Sequence, residues 1–89
     1  MGKNWLPNSQ DYYPPDLIRS GVQGNAQLRV CVDEAGHLSG PPVVEQTSGN
    51  ARLDQGALNV VRAGRYARAV RGDTPVPNCY EFRIVFSLK

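Results

Sequence analysis

The stretch that most limits what this chain can fold into is its last one, Cys79 to Leu88, where apolar and polar residues alternate almost without fault. Tyr80, Phe82, Ile84, Phe86 and Leu88 fall on one parity. Cys79, Glu81, Arg83 and Ser87 fall on the other, with Val85 the one apolar exception. Period-two alternation over this length specifies a strand with one buried face and one wet face. If such a strand is central, it is only core. If it lies at a sheet edge, its free N–H and C=O groups can accept another chain as an added strand. No other stretch carries comparable chemistry, so function turns on which of these holds.

Eighty-nine residues make one domain. A chain of this size buries only about 60–65% of its unfolded surface, so the core is modest. Forty per cent of the residues are hydrophobic and 20% charged, which suits a globular fold. The net charge of +2 is too small to imply nucleic acid by itself. The longest apolar runs are a few residues, too short for a membrane span or a secretory leader core. Met1-Gly2-Lys3 begins like a myristoylation signal, but Leu6 stands where Ser or Thr is required. The first residues therefore read as a cloning remnant or the end of a linker.

Residues 1–14 carry prolines, asparagines and little periodicity, and residues 1–11 are expected to form a linker or loosely docked arm. Pro15-Asp16-Leu17-Ile18-Arg19 reads as a short helix. Proline suits its first turn, Asp16 its positive end, and Gly21 its stop. Leu17, Ile18 and Tyr13 are its expected packing residues. A strand opens at Gly24, with Ala26, Leu28, Val30 and Val32 on one face. Asp33 to Gly36 is a turn. The next strand, His37 to Thr47, is interrupted by Gly40-Pro41-Pro42, which marks it as a broken or bulged edge. Ser48-Gly49-Asn50 supplies cap chemistry for a second helix. Its apolar or small positions Leu53, Ala57, Val60, Val61 and Gly64 share one face. Gly56 in its middle implies a close approach of helix to sheet, and Arg71 to Asn78 reads as a turn-rich link. The order helix, strand, strand, helix, strand implies an α+β two-layer sandwich with two helices on one face of a sheet.

These residues resemble a known family. Tyr13-Pro14, then Gly21 and Gly24, then Val30-Cys31-Val32-Asp33-Glu34-Ala35-Gly36, look like the start of the TonB C-terminal domain. The likeness continues through Ser48-Gly49, Leu53-Asp54, Ala57, Arg65-Tyr66 and Gly72 to Pro75-Val76, and ends at Phe82, Phe86 and Leu88. It spans residues 12 to 88, so 12–89 is taken as the domain. Arg68 stands where the family has proline, Gly56 where it has alanine, and Thr47 where it has the first of two serines. The resemblance implies a three-stranded antiparallel sheet with the Gly24 strand in the middle and the 79–88 strand at an edge. It implies that residues Tyr80, Glu81, Phe82, Arg83, Ile84, Val85 and Phe86 take up the N-terminal box peptide of an outer-membrane transporter by strand addition. It also implies a periplasmic location, an inner-membrane anchor and motor proteins reached through a segment outside this chain, and no cofactor.

Cys31 and Cys79 both lie on the outward parity of their strands. If the first and last strands pair antiparallel, setting 31 opposite 79 also sets 30 opposite 80, 28 opposite 82 and 26 opposite 84, all core-facing. A cross-strand disulfide then fits, and it implies an oxidising compartment such as the periplasm. Two free thiols are the alternative. A metal site is disfavoured because only His37 can join and the spacing is wrong.

Arg62, Arg65, Arg68 and Arg71 recur every third residue without an acid between them. They read either as a patch for an anionic partner or as a solvated helix end. Only Tyr66 is interleaved as an aromatic, so a nucleic-acid partner is not expected. His37 lacks partners for catalysis, and Ser48 reads as a cap, so no enzyme is expected. The expected function is energy transduction in the TonB manner. A structural or regulatory envelope domain of the same fold, without a transporter partner, is the alternative. A homodimer formed by pairing of the free edges is a further candidate assembly.

Overall fold

The central element is a nine-residue strand, β1 (Gly24–Val32), in which every second side chain is removed from water. In this computed structural model, which describes residues 4–88, Ala26, Leu28, Val30 and Val32 have at most 1% exposure. β1 pairs antiparallel on one side with β2 (Val43–Gln46) and on the other with the last strand, β5 (Asn78–Phe86). The sheet order β2-β1-β5 puts β5 at an edge. Its register sets Cys31 opposite Cys79, Val30 opposite Tyr80, Leu28 opposite Phe82 and Ala26 opposite Ile84. This register keeps both apolar faces on one side.

β5 ends at Phe86, and Leu88 is an exposed residue rather than the last inward position. The reason is the partner: β1 begins at Gly24 opposite Phe86, so no ladder extends further. The Gln23 side chain instead accepts the Leu88 N–H at 2.7 Å. β2 is shorter than its apolar pattern suggested. Residues before Val43 contribute only a bridge between Leu38 and Val32, and Pro41 and Pro42 separate that bridge from the strand.

One face of the sheet is covered. Helix α2 (Ala51–Arg62) lays Leu53, Ala57, Val60 and Val61 on it, and α1 (Pro15–Arg19) adds Leu17. Ile18 does not pack as expected; in a five-residue helix only one face reaches the core, and Ile18 points to solvent. α1 ends in a Schellman motif. Val22 N–H reaches the Leu17 carbonyl at 2.9 Å and Gly21 N–H the Ile18 carbonyl at 3.1 Å, with Gly21 at φ +73°. α2 is capped by Asn50, whose side chain accepts from the N–H groups of Arg52 and Leu53.

Gly56 does mark a close approach. A Cβ there would lie 2.7 Å from the Tyr12 carbonyl and 3.2 Å from the Phe86 ring. The contact therefore involves the 3-10 turn Ser9–Tyr12 as well as the sheet. The link after α2 is more ordered than turn chemistry implied. It holds a hairpin of β3 (Ala69–Arg71) and β4 (Thr74–Val76), joined by Gly72-Asp73. Gly72 at φ +61° in the first turn position is the geometry of a II′ hairpin turn.

Candidate functional site

The site begins with which way the peptide groups of β5 face. In an antiparallel pair, opposed residues alternate between those that bond each other and those that turn their groups away. The Cys31 carbonyl accepts Ser39 N–H at 2.9 Å, on the β2 side, so Cys31 and Cys79 form a pair that is not bonded through its peptide groups. Alternation then turns the N–H and C=O groups of Cys79, Glu81, Arg83 and Val85 toward the open flank. A separate contact agrees: the Ser9 hydroxyl donates to the Val85 carbonyl from outside the sheet at 2.9 Å.

The structure thus divides the seven expected edge residues. Tyr80, Phe82, Ile84 and Phe86 direct their side chains into the helix-covered face and their peptide groups to β1. Glu81, Arg83 and Val85 are exposed and face the flank, and Cys79 joins them. One end of the flank is touched by the arm. Besides Ser9, the Gln10 side-chain amide donates to the Ser87 carbonyl at 3.2 Å. Among the described residues no backbone group outside β1 bonds to β5.

The flank is held straight from both ends. At its start, a Cys31–Cys79 disulfide joins the strands, with a Cα separation of 4.0 Å. Next to it, Tyr80 stacks on Tyr66 and donates its hydroxyl to the Ala67 carbonyl at 2.9 Å. Tyr66 also packs on Phe82. Burial pushes the Tyr66 phenol up to about 12, so it remains a neutral donor, to the Val61 carbonyl. At its far end, Phe86 packs against the Tyr13 ring with centroids 5.2 Å apart.

The uncovered face carries Arg29 opposite Glu81, with Glu45 close by on β2. Glu45 is raised above its ordinary value, first by a hydrogen bond shared with the Glu81 carboxylate, then by desolvation and by repulsion from Glu81, against the pull of Arg29. The mouth of α2 has the opposite balance. Burial works to raise Asp54, but hydrogen bonds from Ser48 and Thr47 outweigh it and hold the carboxyl below its ordinary value. Ser48 therefore serves the helix start through Asp54, while Asn50 is the cap itself.

The four arginines sit on three different segments. Arg62 and Arg65 line a cleft with His37, whereas Arg71 lies in the β3–β4 hairpin and Arg68 between. All four are exposed. The arm was the least legible part. Trp5 and Arg65 exchange two backbone hydrogen bonds of 2.8 Å, and Asn4 accepts Ala67 N–H at 2.9 Å. The signal for this docking was Gly64, where a Cβ would lie 2.7 Å from Leu6. Among the described residues no cluster of three or more His, Cys, Asp or Glu is placed to hold a metal ion, and no helix is long and apolar enough to cross a membrane.

Comparison with known proteins agrees with the likeness seen in the residues. The family described as Gram-negative bacterial TonB protein C-terminal matches residues 9–88. Protein TonB from two strains of Xanthomonas campestris pv. campestris, B100 and ATCC 33913, is 39% identical over 61 residues in each case. The alignment covers 67% of this chain and 27% of each relative, so the chain corresponds to a minor part of their length. No solved structure matches at a significant level.

Proposed function

This chain belongs to the Gram-negative bacterial TonB C-terminal family, and from that premise we propose that it is the transporter-binding domain of a periplasmic energy transducer. Its open flank on β5 takes up a short extended peptide from an outer-membrane transporter as a fourth strand. Main-chain pairing supplies affinity with little demand on the peptide's sequence, so one domain serves several transporters. Glu81, Arg83 and Val85 then set preference from the uncovered face, and force from inner-membrane motor proteins reaches the peptide through the sheet.

One observation carries this reading: a nine-residue edge strand in unbroken register whose outward peptide groups at Cys79, Glu81 and Arg83 pair with no other backbone among the described residues. Arg83→Pro tests it. The Arg83 N–H faces the flank, so proline removes a docking donor without removing a β1 bond, as edge positions tolerate. The variant is expected to fold and to bind an N-terminal transporter peptide at least about tenfold more weakly, the loss of one to two hydrogen bonds in a desolvated ladder. Unchanged affinity in a folded Arg83→Pro chain would exclude docking on this flank.

A further inference from the structure

The β1–β2 turn and the end of α2 enclose a second concave site, away from the flank. It is an open cleft of about 400 Å³ that brings His37, from the turn, together with Arg62 and Arg65, from the helix end and the loop after it. No aspartate or glutamate lines it. The turn carries two acids: Asp33 spends its carboxylate on the N–H groups of Ala35 and His37 at 2.9 and 3.0 Å, and Glu34 is exposed and does not line the cleft. Among the described residues the one ion pair is Arg52 with Asp16, so neither cleft arginine has a carboxylate partner.

The walls are also fixed in place. A Cβ at Gly36 would lie 2.8 Å from the Tyr66 carbonyl, so the turn sits hard against the loop that carries Arg65. Arg65 has its backbone clamped by Trp5, and Tyr66 is tied to the Val61 carbonyl. The helix dipole accounts for an arginine at the end of α2. It does not account for a histidine and a second arginine brought to the same hollow by other segments.

Guanidinium groups present forked donors that match the oxygens of phosphate or carboxylate, and two of them match a doubly charged anion best. We propose that this cleft binds a phosphate monoester group, with Arg62 and Arg65 as the charged forks and His37 as a third donor. The group comes either from a soluble molecule or from a lipid headgroup, and its binding does not depend on strand docking at β5.

The test is amide-signal mapping on the whole chain with inorganic phosphate, against chloride at equal ionic strength. Saturable shifts confined to residues 35–38 and 62–66 are expected. The double variant Arg62→Gln, Arg65→Gln should weaken binding at least about tenfold, while Arg71→Gln on the hairpin should change it by no more than about twofold. Unaltered β5 signals establish that each variant is folded. Sedimentation with phosphatidylcholine vesicles, with and without phosphatidic acid, separates the sources. Co-sedimentation that requires phosphatidic acid and is lost in the double variant assigns a headgroup; phosphate saturation without it assigns a soluble ligand. Shifts that fail to saturate, or an Arg71→Gln loss equal to that of the double variant, would reduce the effect to diffuse surface charge and overturn the proposal.

Discussion

The sheet has two edges, and they are built on opposite plans. β2 is four residues long, its pairing with β1 slips between Gln27 and Leu28, and Pro41 and Pro42 precede it. Short length, a register shift and prolines are the devices by which an edge is made unfit for another chain. Pro77, the one proline flanking β5, comes before the ladder with β1 begins, and β5 has neither the short length nor the slip. It is nine residues long, pairs with β1 at every position and is clasped by a disulfide. One edge is blunted and the other is kept regular, within a single small sheet. That asymmetry is what the strand-addition proposal rests on.

Substitutions under and along the two edges should differ in cost. The largest expected effect is in the packing beneath the regular edge. Phe86→Ala removes a ring that is 1% exposed and touches Tyr13, and should cost about 3–5 kcal/mol in denaturant melts. Val44→Ala under the blunted edge, which is only half-buried, should cost about 1 kcal/mol. Equal costs would show that the two edges share the core evenly. Next is the clasp. The cysteines are 48 residues apart, and replacing both with serine should cost about 2–4 kcal/mol. If the reduced chain is as stable as the oxidised one, the disulfide does not hold β5.

Gly56→Ala follows. Its Cβ would meet the backbone carbonyl of Tyr12, which cannot swing away as a side chain can, so a loss of about 1–3 kcal/mol is expected despite alanine's better helix propensity. A gain in stability would mean that the turn over Phe86 yields.

The smallest effects are electrostatic and differ in sign. The folded Asp54 carboxyl lies below its ordinary value, so its contribution is complete above pH about 4 and is lost as pH falls through the lowered folded value. Asp54→Asn should flatten the acid limb of the stability curve. Glu45 is raised by Glu81, so its ionised form is disfavoured in the fold. Glu45→Gln should therefore leave the midpoint of unfolding at neutral pH unchanged or slightly higher. A clear decrease would mean that the attraction to Arg29 outweighs the repulsion.

What could be read from the sequence followed from parity. The inward set Ala26, Leu28, Val30 and Tyr80, Phe82, Ile84 is consistent with the observed antiparallel register, and setting the two cysteines opposite each other selects it from the registers two residues away. Edge and centre were not legible from periodicity, because that choice depends on chain crossings; the family likeness supplied it. Strand ends were misplaced where the partner ran out, as at Leu88, since alternation carries no knowledge of where β1 begins. The β3–β4 hairpin escaped because three-residue strands show no period. The cleft is not legible in the sequence, because His37 meets Arg62 and Arg65 only through tertiary packing; the arginine spacing alone suggests an anionic partner but not the histidine beside it.

Amide hydrogen exchange on β5, with and without an N-terminal transporter peptide, reads strand docking residue by residue. Glu81, Arg83 and Val85, whose N–H groups face the flank, should become protected when the peptide is present. Phe82 and Ile84, already bonded to β1, should not change. Protection that ignores this alternation, or that appears only near Arg62 to Arg71, would contradict docking by strand addition.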